Sequence, residues 1–337
     1  MIMKTDDYLT TETGSQDLQR IARGQDDVPF LPVKIDKPER NDLFWKNVKK
    51  AYSKYGRTQA FLAEIVKLEY QGLIANVDGS TWYVWNGFRW IEDRRNAVMS
   101  CIINTLLVLK NTAKSKRCKK IYTFANQALK HREMSAIEKL LRIGSNSLIH
   151  EQFDQHKYYL SVVNGLLNLI TGKLRPHVPE HMNTRLARTI YDPSATCPKW
   201  LKFLDEIQDG DQEVIDYIQR LLGYAMTADI SEHSLFLMYG TGANGKSVLT
   251  TVVREILGDY AMEAAPDVLI KKKNDIHPAA FADLENSRFV TCSEVDDGGW
   301  MAEGLVKRLT GESQIKARKM HQDWRAIDTT WKIFMAV

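Results

Sequence analysis

The sequence predicts an α/β protein in which a mainly helical part with small β-hairpins precedes a C-terminal parallel sheet. The first observation is that apolar residues recur at helical spacing over residues 41–72. The second is an aromatic segment, residues 81–90, built around Asn86-Gly87, a pair typical of two-residue hairpin turns. The third is an apolar run, residues 234–239, followed by a glycine-rich loop and a helical pattern. Such strand–loop–helix units are typical of parallel sheets.

Length and composition limit the possible protein classes. The chain has 337 residues and a formal net charge of +4, so charge alone does not indicate nucleic-acid binding. Its four cysteines form no CxxC pair, which argues against a zinc ribbon or a CxxC redox motif. The N-terminus lacks the apolar core of a signal peptide, and the most apolar run, residues 101–109, is about half a membrane span. We therefore expect a cytoplasmic protein with no membrane partner.

Three segments are predicted along the chain. Residues 1–40 are polar and are expected to form a flexible arm, residues 41–230 a mainly helical domain, and residues 231–337 the α/β domain. The expected elements of the second segment are two amphipathic helices within 41–72, a hairpin at 81–90, helices at 95–109 and 121–143, strands at 158–163 and 166–170, and helices at 198–207 and 211–225.

A local basic excess lies inside the helical segment. Residues 107–142 contain ten Lys and Arg residues and only two Glu residues. Such a run forms either a solvated surface or a contact site for a phosphate backbone. The sequence leaves both interpretations open.

The glycine-rich loop has the G-x-x-x-x-G-K-S pattern of phosphate-binding loops. Glycines let successive backbone N–H groups point at phosphate oxygens, and the following helix N-terminus adds a positive partial charge. Lys246 can reach the β- and γ-phosphates, and Ser247 can ligate Mg²⁺. The predicted nucleotide-binding residues are Gly240, Thr241, Gly242, Ala243, Asn244, Gly245, Lys246, Ser247 and Val248.

A second acidic motif follows another apolar run. The stretch 288–294 ends in Glu294, where a carboxylate can orient a water molecule for attack on the γ-phosphate. Asp296 or Asp297 could help to hold the Mg²⁺ ion through its water shell. Glu294 and Lys246 are therefore the candidate catalytic residues.

Taken in this order, the two motifs resemble those of superfamily 3 helicases. More narrowly, they resemble the helicase part of phage and plasmid primase-helicases, a branch that includes the poxvirus primase-helicase. The resemblance covers about residues 57–337. Supporting segments are the Trp-rich stretch 82–93, the Asn-Gly-Leu-Leu segment 164–174, and the stretches 191–200 and 222–226.

The resemblance implies a homo-hexameric ring with a modified AAA+ core that moves along one DNA strand. ATP, with Mg²⁺, would be hydrolysed at the subunit interfaces, with Lys246 and Ser247 binding the nucleotide and metal and Glu294 acting as catalytic carboxylate. Many P-loop ATPases have Asp immediately before this Glu, whereas this chain has Ser293. The second protein contact of the metal therefore stays open.

The resemblance also implies a DNA-gripping β-hairpin, and residues 309–324 fit it. Ile315 and Ala317 alternate with Lys316 and Arg318 before a polar turn. A basic hairpin tip can follow a DNA backbone without reading bases, although a solvated basic hairpin would show the same pattern. The candidate DNA contacts are Lys316, Arg318, Lys319 and His321.

The expected function is an ATP-dependent DNA helicase acting on single-stranded or forked DNA in phage, plasmid or other mobile-element replication. The expected location is the cytoplasm of a bacterial host. The alternatives are an AAA+ initiator or loader, and a ring scaffold that binds nucleotide and DNA without effective hydrolysis. Primase activity is not expected here, since the first 56 residues are too few for a primase domain and no zinc-ligand cluster exists. A primase would be separate or lie upstream.

The last seven residues have the pattern of a core strand. By the resemblance, a polar sensor residue would follow Val337, and the next core strand and an arginine finger would lie further on. The expectation is a truncated polypeptide that binds ATP weakly and hydrolyses it poorly.

Overall fold

A computed structural model describes residues 38–143, 147–240, 242, 244–264, 278–292, 302–318 and 323–336. The chain forms two compact units. The first, called the helical unit, contains the described residues up to 155 together with 178–184. The second, called the sheet unit, contains residues 156–177 and the described residues from 185 onward. Each unit has its own apolar core.

The helices of the helical unit are α1 (Pro38–Tyr55), α2 (Gln59–Glu69), α3 (Ala97–Ser115), α4 (Lys119–Ala128) and α5 (His131–Leu141). Side chains satisfy the free N–H groups at two of the helix starts. Thr58 Oγ1 accepts a hydrogen bond from the Phe61 amide, and Asp93 accepts from the amide of Ala97 at 2.7 Å. The helix predicted over 121–143 is two helices, α4 and α5, because Lys130 has an extended backbone.

A four-stranded sheet completes the helical unit. Its strands are β1 (Ile74–Val77), β2 (Thr81–Trp85), β3 (Trp90–Glu92) and β4 (Ser147–Leu148), in the order β3-β2-β1-β4. The predicted Trp hairpin is confirmed, but the prediction of a two-residue turn was wrong. Trp85 pairs with Trp90, so the loop has four residues, and Asn86 Oδ1 accepts from the amides of Phe88 and Arg89. This local hydrogen bonding by Asn stabilises the longer turn.

The sheet unit begins with a small antiparallel sheet and two helices. The elements are β5 (Tyr159–Val162), β6 (Gly165–Asn168), β7 (Leu174–Arg175), α6 (Pro198–Ile207) and α7 (Gln212–Met226). Pro198 is the first helical residue of α6, where its missing N–H costs no hydrogen bond. Asp211 caps α7 by accepting from the amides of Glu213 and Val214. The predicted strands and helices of this region are confirmed.

The centre of the sheet unit is a four-stranded parallel sheet. Its strands are β8 (Leu235–Met238), β9 (Ala261–Ala264), β10 (Phe289–Cys292) and β13 (Lys332–Ala336), in the order β8-β13-β10-β9. Its further elements are the helices α8 (Lys246–Leu257), α9 (Pro278–Ala282) and α10 (Glu303–Gly311) and the antiparallel strands β11 (Gln314–Ala317) and β12 (Arg325–Asp328). This combination confirms the predicted α/β class.

Aromatic packing holds the parallel sheet to the elements on one of its faces. The ring of Phe334 on β13 lies 4.4 Å from that of Phe289 on β10 and 5.1 Å from that of Phe236 on β8. These rings join an apolar cluster that includes Val253 and Leu257 of α8. Among the described residues, β8 pairs only with β13, so β8 is an edge strand.

The compact units divide the chain differently from the predicted boundary at 230/231. Residues 156–177 and 185–230 belong to the sheet unit, because β5, β6, α6 and α7 share apolar clusters with the elements of the parallel sheet. The predicted boundary stays a prediction about functional modules. Among the described helices, none is both long and apolar enough to cross a membrane.

Candidate functional site

The glycine-rich loop joins β8 to α8 at the edge of the sheet where the parallel strands end. The predicted strand–loop–helix geometry is confirmed, with α8 beginning at Lys246. Gly245 has a φ of +83°, in the left-handed region that favours glycine. A Cβ atom there would lie 2.7 Å from Ile207 Cγ2 and 3.2 Å from Phe203 Cε2, both on α6. Only glycine therefore fits between the loop and α6.

Lys246 bridges the two ends of the loop. Its ammonium group donates a hydrogen bond to the Gly240 carbonyl oxygen at 2.5 Å. The ammonium thus lies at the N-terminus of a twelve-residue helix, where a bound anion would also gain from the helix dipole. Ser247 and Val248, in the first turn of α8, are exposed. Thr241 and Ala243 lie outside the described residues.

Apolar packing fixes α8 behind the loop. Leu249 is buried in a cluster with Leu204 of α6 and Ile215 of α7. About one and two turns further, Val253 and Leu257 pack into the cluster beneath the parallel sheet. Helix α8 is therefore held along its length, and an anion bound at its start would meet preorganised N–H groups.

The strand that leads to the acidic motif ends at the same edge of the sheet. Cys292 of β10 aligns with Met335 of β13, and Met335 aligns with Leu237 of β8. With strands about 4.8 Å apart, the end of β10 lies about 10 Å from the end of β8. Glu294 and Asp296 lie outside the described residues, so their predicted roles stay predictions.

The predicted basic hairpin is formed by β11 and β12, in which Ile315 pairs with Ile327. Ile315 and Ala317 are buried, whereas Lys316 and Arg318 are exposed, as the alternation predicts. The Arg318 guanidinium lies 5.1 Å from the ring centre of Trp324, which is 55% exposed. Lys319 and His321 lie outside the described residues. The hairpin therefore presents an Arg–aromatic pair that the sequence analysis did not predict.

The structure also reveals two buried cations at the opposite edge of the sheet. The Arg288 guanidinium donates to the carbonyl oxygens of Met226 at 2.6 Å and of Tyr159 at 2.7 Å. The Lys332 ammonium donates to the carbonyl oxygen of Thr227. Both cations thus bind backbone carbonyls, two of them at the C-terminus of α7, where the helix dipole is negative. The sequence offered one signal for these two buried cations: a charged residue lies directly before one apolar strand run and within the other.

Burial changes the protonation of Lys332. Its pKa is lowered to about 7, chiefly by desolvation and also by the nearby Arg288, whereas Asp229 opposes the shift. The ammonium also lies 4.9 Å from the ring centre of Tyr224. No member of the glycine-rich loop has a comparably buried charge in the described part of the chain. Lys332 therefore has a structural role and is not part of the glycine-rich loop.

A Mg²⁺ ion that accompanies nucleotide usually needs only one or two protein oxygens, with water and phosphate oxygens completing its shell. The exposed hydroxyl group of Ser247 at the start of α8 fits such a contact. Within the described ranges, no cluster of three or more His, Cys, Asp or Glu residues could hold a metal ion.

Comparison with known proteins identifies the middle of the chain. Residues 61–209 match the family described as D5 N terminal like. The chain carries a D5 N terminal-like domain followed by a superfamily 3 helicase-like region. The predicted resemblance is confirmed. The D5 N terminal-like match includes α2 to α5 of the helical unit and reaches α6, the helix that packs on Gly245 of the loop.

Three viral proteins illustrate the similarity. "Putative helicase L207/L206" of Acanthamoeba polyphaga mimivirus is 23% identical over 74% of this chain and 28% of that protein. "Putative primase C962R" of African swine fever virus is 25% identical over 53% of this chain and 20% of that protein. "Putative helicase 184R" of Invertebrate iridescent virus 6 is 24% identical over 53% of this chain and 19% of that protein. The chain thus spans less than a third of each relative.

Two solved structures of the NrS-1 C-terminal region are also similar. One covers 82% of this chain and 55% of that chain at 10% identity, with a TM-score of 0.45. The other covers 50% of this chain and 45% of that chain at 13% identity, with a TM-score of 0.35. The viral proteins that resemble this chain are named as putative helicases and a putative primase.

Proposed function

We propose that the sheet unit binds ATP and that its hydrolysis drives movement along single-stranded DNA during replication of a viral or other mobile genome. The observation that carries the proposal is the glycine-rich loop, which follows β8, packs against α6 and ends at Lys246. The phage or plasmid setting and its bacterial host stay predictions. The viral relatives come from viruses whose names point to amoebal, swine and invertebrate hosts.

Nucleotide binding would use the start of α8. The amides at the start of the helix and the Lys246 ammonium would bind the phosphate oxygens. Lys246 would then exchange its hydrogen bond to the Gly240 carbonyl for stronger, charge-assisted contacts to phosphate. Because packing against Ile207 and Phe203 already fixes Gly245, the end of the loop next to α8 would need little ordering on binding.

Hydrolysis would need a base and a metal contact near the γ-phosphate. We assign the base to Glu294, which would orient the attacking water and take up its proton. We assign Mg²⁺ contacts to Ser247 and to Asp296; when bound, the ion neutralises phosphate charge. The separation of about 10 Å between the ends of β8 and β10 leaves room for a triphosphate between loop and base.

DNA contact is assigned to the hairpin of β11 and β12. Its exposed cations, Lys316 and Arg318, would contact phosphates, and Trp324 would offer an aromatic face to a base. Lys319 and His321 would extend this surface. In a homo-hexameric ring, six such hairpins would surround one DNA strand. The primase of the system would be separate or lie upstream, and the functional ATPase module would begin near residue 231.

A strand-displacement assay on forked DNA tests the proposal. The parent chain is expected to displace a labelled strand only with ATP and Mg²⁺, and Lys246→Ala is expected to abolish displacement. Lys173→Ala, which removes an exposed charge elsewhere in the sheet unit, is the matched control and should behave as the parent. Displacement by Lys246→Ala at the parental rate would show that the loop does not drive the reaction.

A further inference from the structure

An open groove lies on the helical unit between α1 and α4. It has a volume of about 440 Å³. Trp45, Lys49 and Tyr52 of α1 line one side, at spacings of four and three residues that place them on one face of the helix. Cys118, Lys120 and Ile121 line the other side. The groove therefore combines an apolar, partly aromatic floor with a lysine on each lip.

The surroundings of the groove are strongly basic. Residues 42–54 contain four lysines and one acidic residue, Asp42, and residues 107–123 contain six basic residues and no acidic one. Asp42 is already engaged by Lys116 at 3.0 Å. Among the described residues, no carboxylate lies within 4 Å of the Lys49 or Lys120 ammonium groups. Within the described part of the chain, both lip lysines thus lack a paired carboxylate.

Not every cation of the basic stretch lacks a paired carboxylate. Arg142 pairs with Glu138 at 2.8 Å and donates to the Ser80 carbonyl oxygen at 2.7 Å, so it holds α5 to the turn after β1. Within the basic stretch, Arg142 therefore serves the fold, whereas Lys120 lines the groove.

We propose that this groove is a binding site for single-stranded nucleic acid in the helical unit. Lys49 and Lys120 would contact successive phosphates, and a base would pack against Tyr52, beside the largely buried Trp45. A volume of about 440 Å³ lies within the range of about 300–1,000 Å³ typical of small-molecule sites, enough for a nucleotide-sized group. An acidic peptide would match the charge but would leave the aromatic floor without a flat partner.

This site goes beyond the proposed ATPase because it lies in the other unit and needs no nucleotide. Binding is therefore measured with the full chain, without ATP, by fluorescence anisotropy of a labelled oligothymidylate of about 20 nucleotides, longer than a typical single-strand site. Lys49→Ala with Lys120→Ala is expected to weaken binding about tenfold at about 0.1 M salt and to lower the salt-dependence slope by about 1.4, the value for two single-strand phosphate contacts. Lys130→Ala with Lys139→Ala removes the same charge from positions outside the groove and should change binding little.

A matched pair of variants tests the aromatic floor of the groove. Tyr52→Leu is expected to weaken binding about fivefold or more through lost stacking, whereas Tyr52→Phe, which keeps the ring, should bind as the parent. Thermal unfolding of each variant shows whether the fold is intact. Equal losses in the two double-lysine variants would overturn the proposal, since general surface charge would then explain binding.

Two further outcomes distinguish this proposal from binding of an acidic peptide and from the ATPase proposal. If polyglutamate of equal length displaces the oligonucleotide as well as unlabelled oligothymidylate does, the groove takes an acidic protein segment and the proposal fails. Lys246→Ala is expected to keep the parental oligonucleotide affinity in this assay. Failure of ATP binding would therefore leave the groove proposal standing, and loss of groove-dependent binding would leave the ATPase proposal standing.

Discussion

The backbone N–H of Lys332 donates to the backbone carbonyl oxygen of Arg288 at 2.8 Å, and both side chains bind backbone carbonyls near the end of α7. Arg288 directly precedes β10 and Lys332 begins the neighbouring strand β13, so both buried cations lie at the edge of the sheet opposite the glycine-rich loop. The same sheet is therefore tied to α7 at its strand starts and to the loop at its strand ends. Each buried charge contacts carbonyl oxygens, which offsets part of its desolvation cost.

The lowered pKa of Lys332 predicts a rise in stability with pH. Folding moves this lysine from a pKa of 10.5 to about 7. Below pH 7 it is charged in both states, and burial of the charge lowers the free energy of unfolding. Between pH 7 and 10.5 the unfolded chain binds the proton that the folded chain has lost, so the free energy of unfolding rises with pH, by an amount on the order of a few kcal/mol.

Urea unfolding at about pH 7 and about pH 9 measures this effect, since both values fall within the window of the shift. Lys332→Gln keeps a donor for the Thr227 carbonyl but cannot titrate, so its midpoint should shift less between the two pH values than that of the parent. Equal shifts in both proteins would show that groups other than Lys332 cause the pH dependence.

Gly245→Ala is expected to destabilise the chain by about 1–3 kcal/mol. The added Cβ would meet Ile207 at 2.7 Å, and the left-handed backbone disfavours alanine. Gly242→Ala is the matched control in the same loop, because a Cβ atom added there would have nothing within 4 Å. Thermal melting compares the two variants, and equal melting temperatures would contradict the packing of the loop against α6.

Removal of the Arg318 charge should weaken DNA binding by the hairpin. Arg318→Ala is expected to lower the salt-dependence slope for single-stranded DNA by about 0.7, as for one phosphate contact. Trp324→Leu should weaken binding without changing that slope, since it removes only an aromatic face. Lys173→Ala serves as the charge control. A slope unchanged by Arg318→Ala would remove Arg318 from the set of DNA contacts.

Local sequence signals predicted most elements of the fold. Helix α6 has the predicted limits because Pro198 fixes its start, and α7 begins where Asp211 caps it. The Asn86-Gly87 turn was harder, because the pair fits both a two-residue and a four-residue loop. The Asn86 side chain, which accepts two amide hydrogen bonds, decides between them.

Contacts between distant segments were beyond sequence reasoning. The loop itself was predictable because its chemistry lies within nine consecutive residues. The packing of Gly245 against α6 was not, since nothing local links these segments. The burial of Lys332 depends on where α7 ends in space, and the groove depends on α1 meeting α4.

Nucleotide binding by the Lys246 loop is the central claim, and titration with a fluorescent ATP analogue in the presence of Mg²⁺ tests it most directly. The parent chain and Lys173→Ala should bind the analogue with equal affinity. Lys246→Ala should lose about tenfold or more in affinity, as expected for a charge-assisted contact to phosphate, while its melting temperature shows that the chain is folded. Equal affinity of a folded Lys246→Ala protein and the parent would contradict the account.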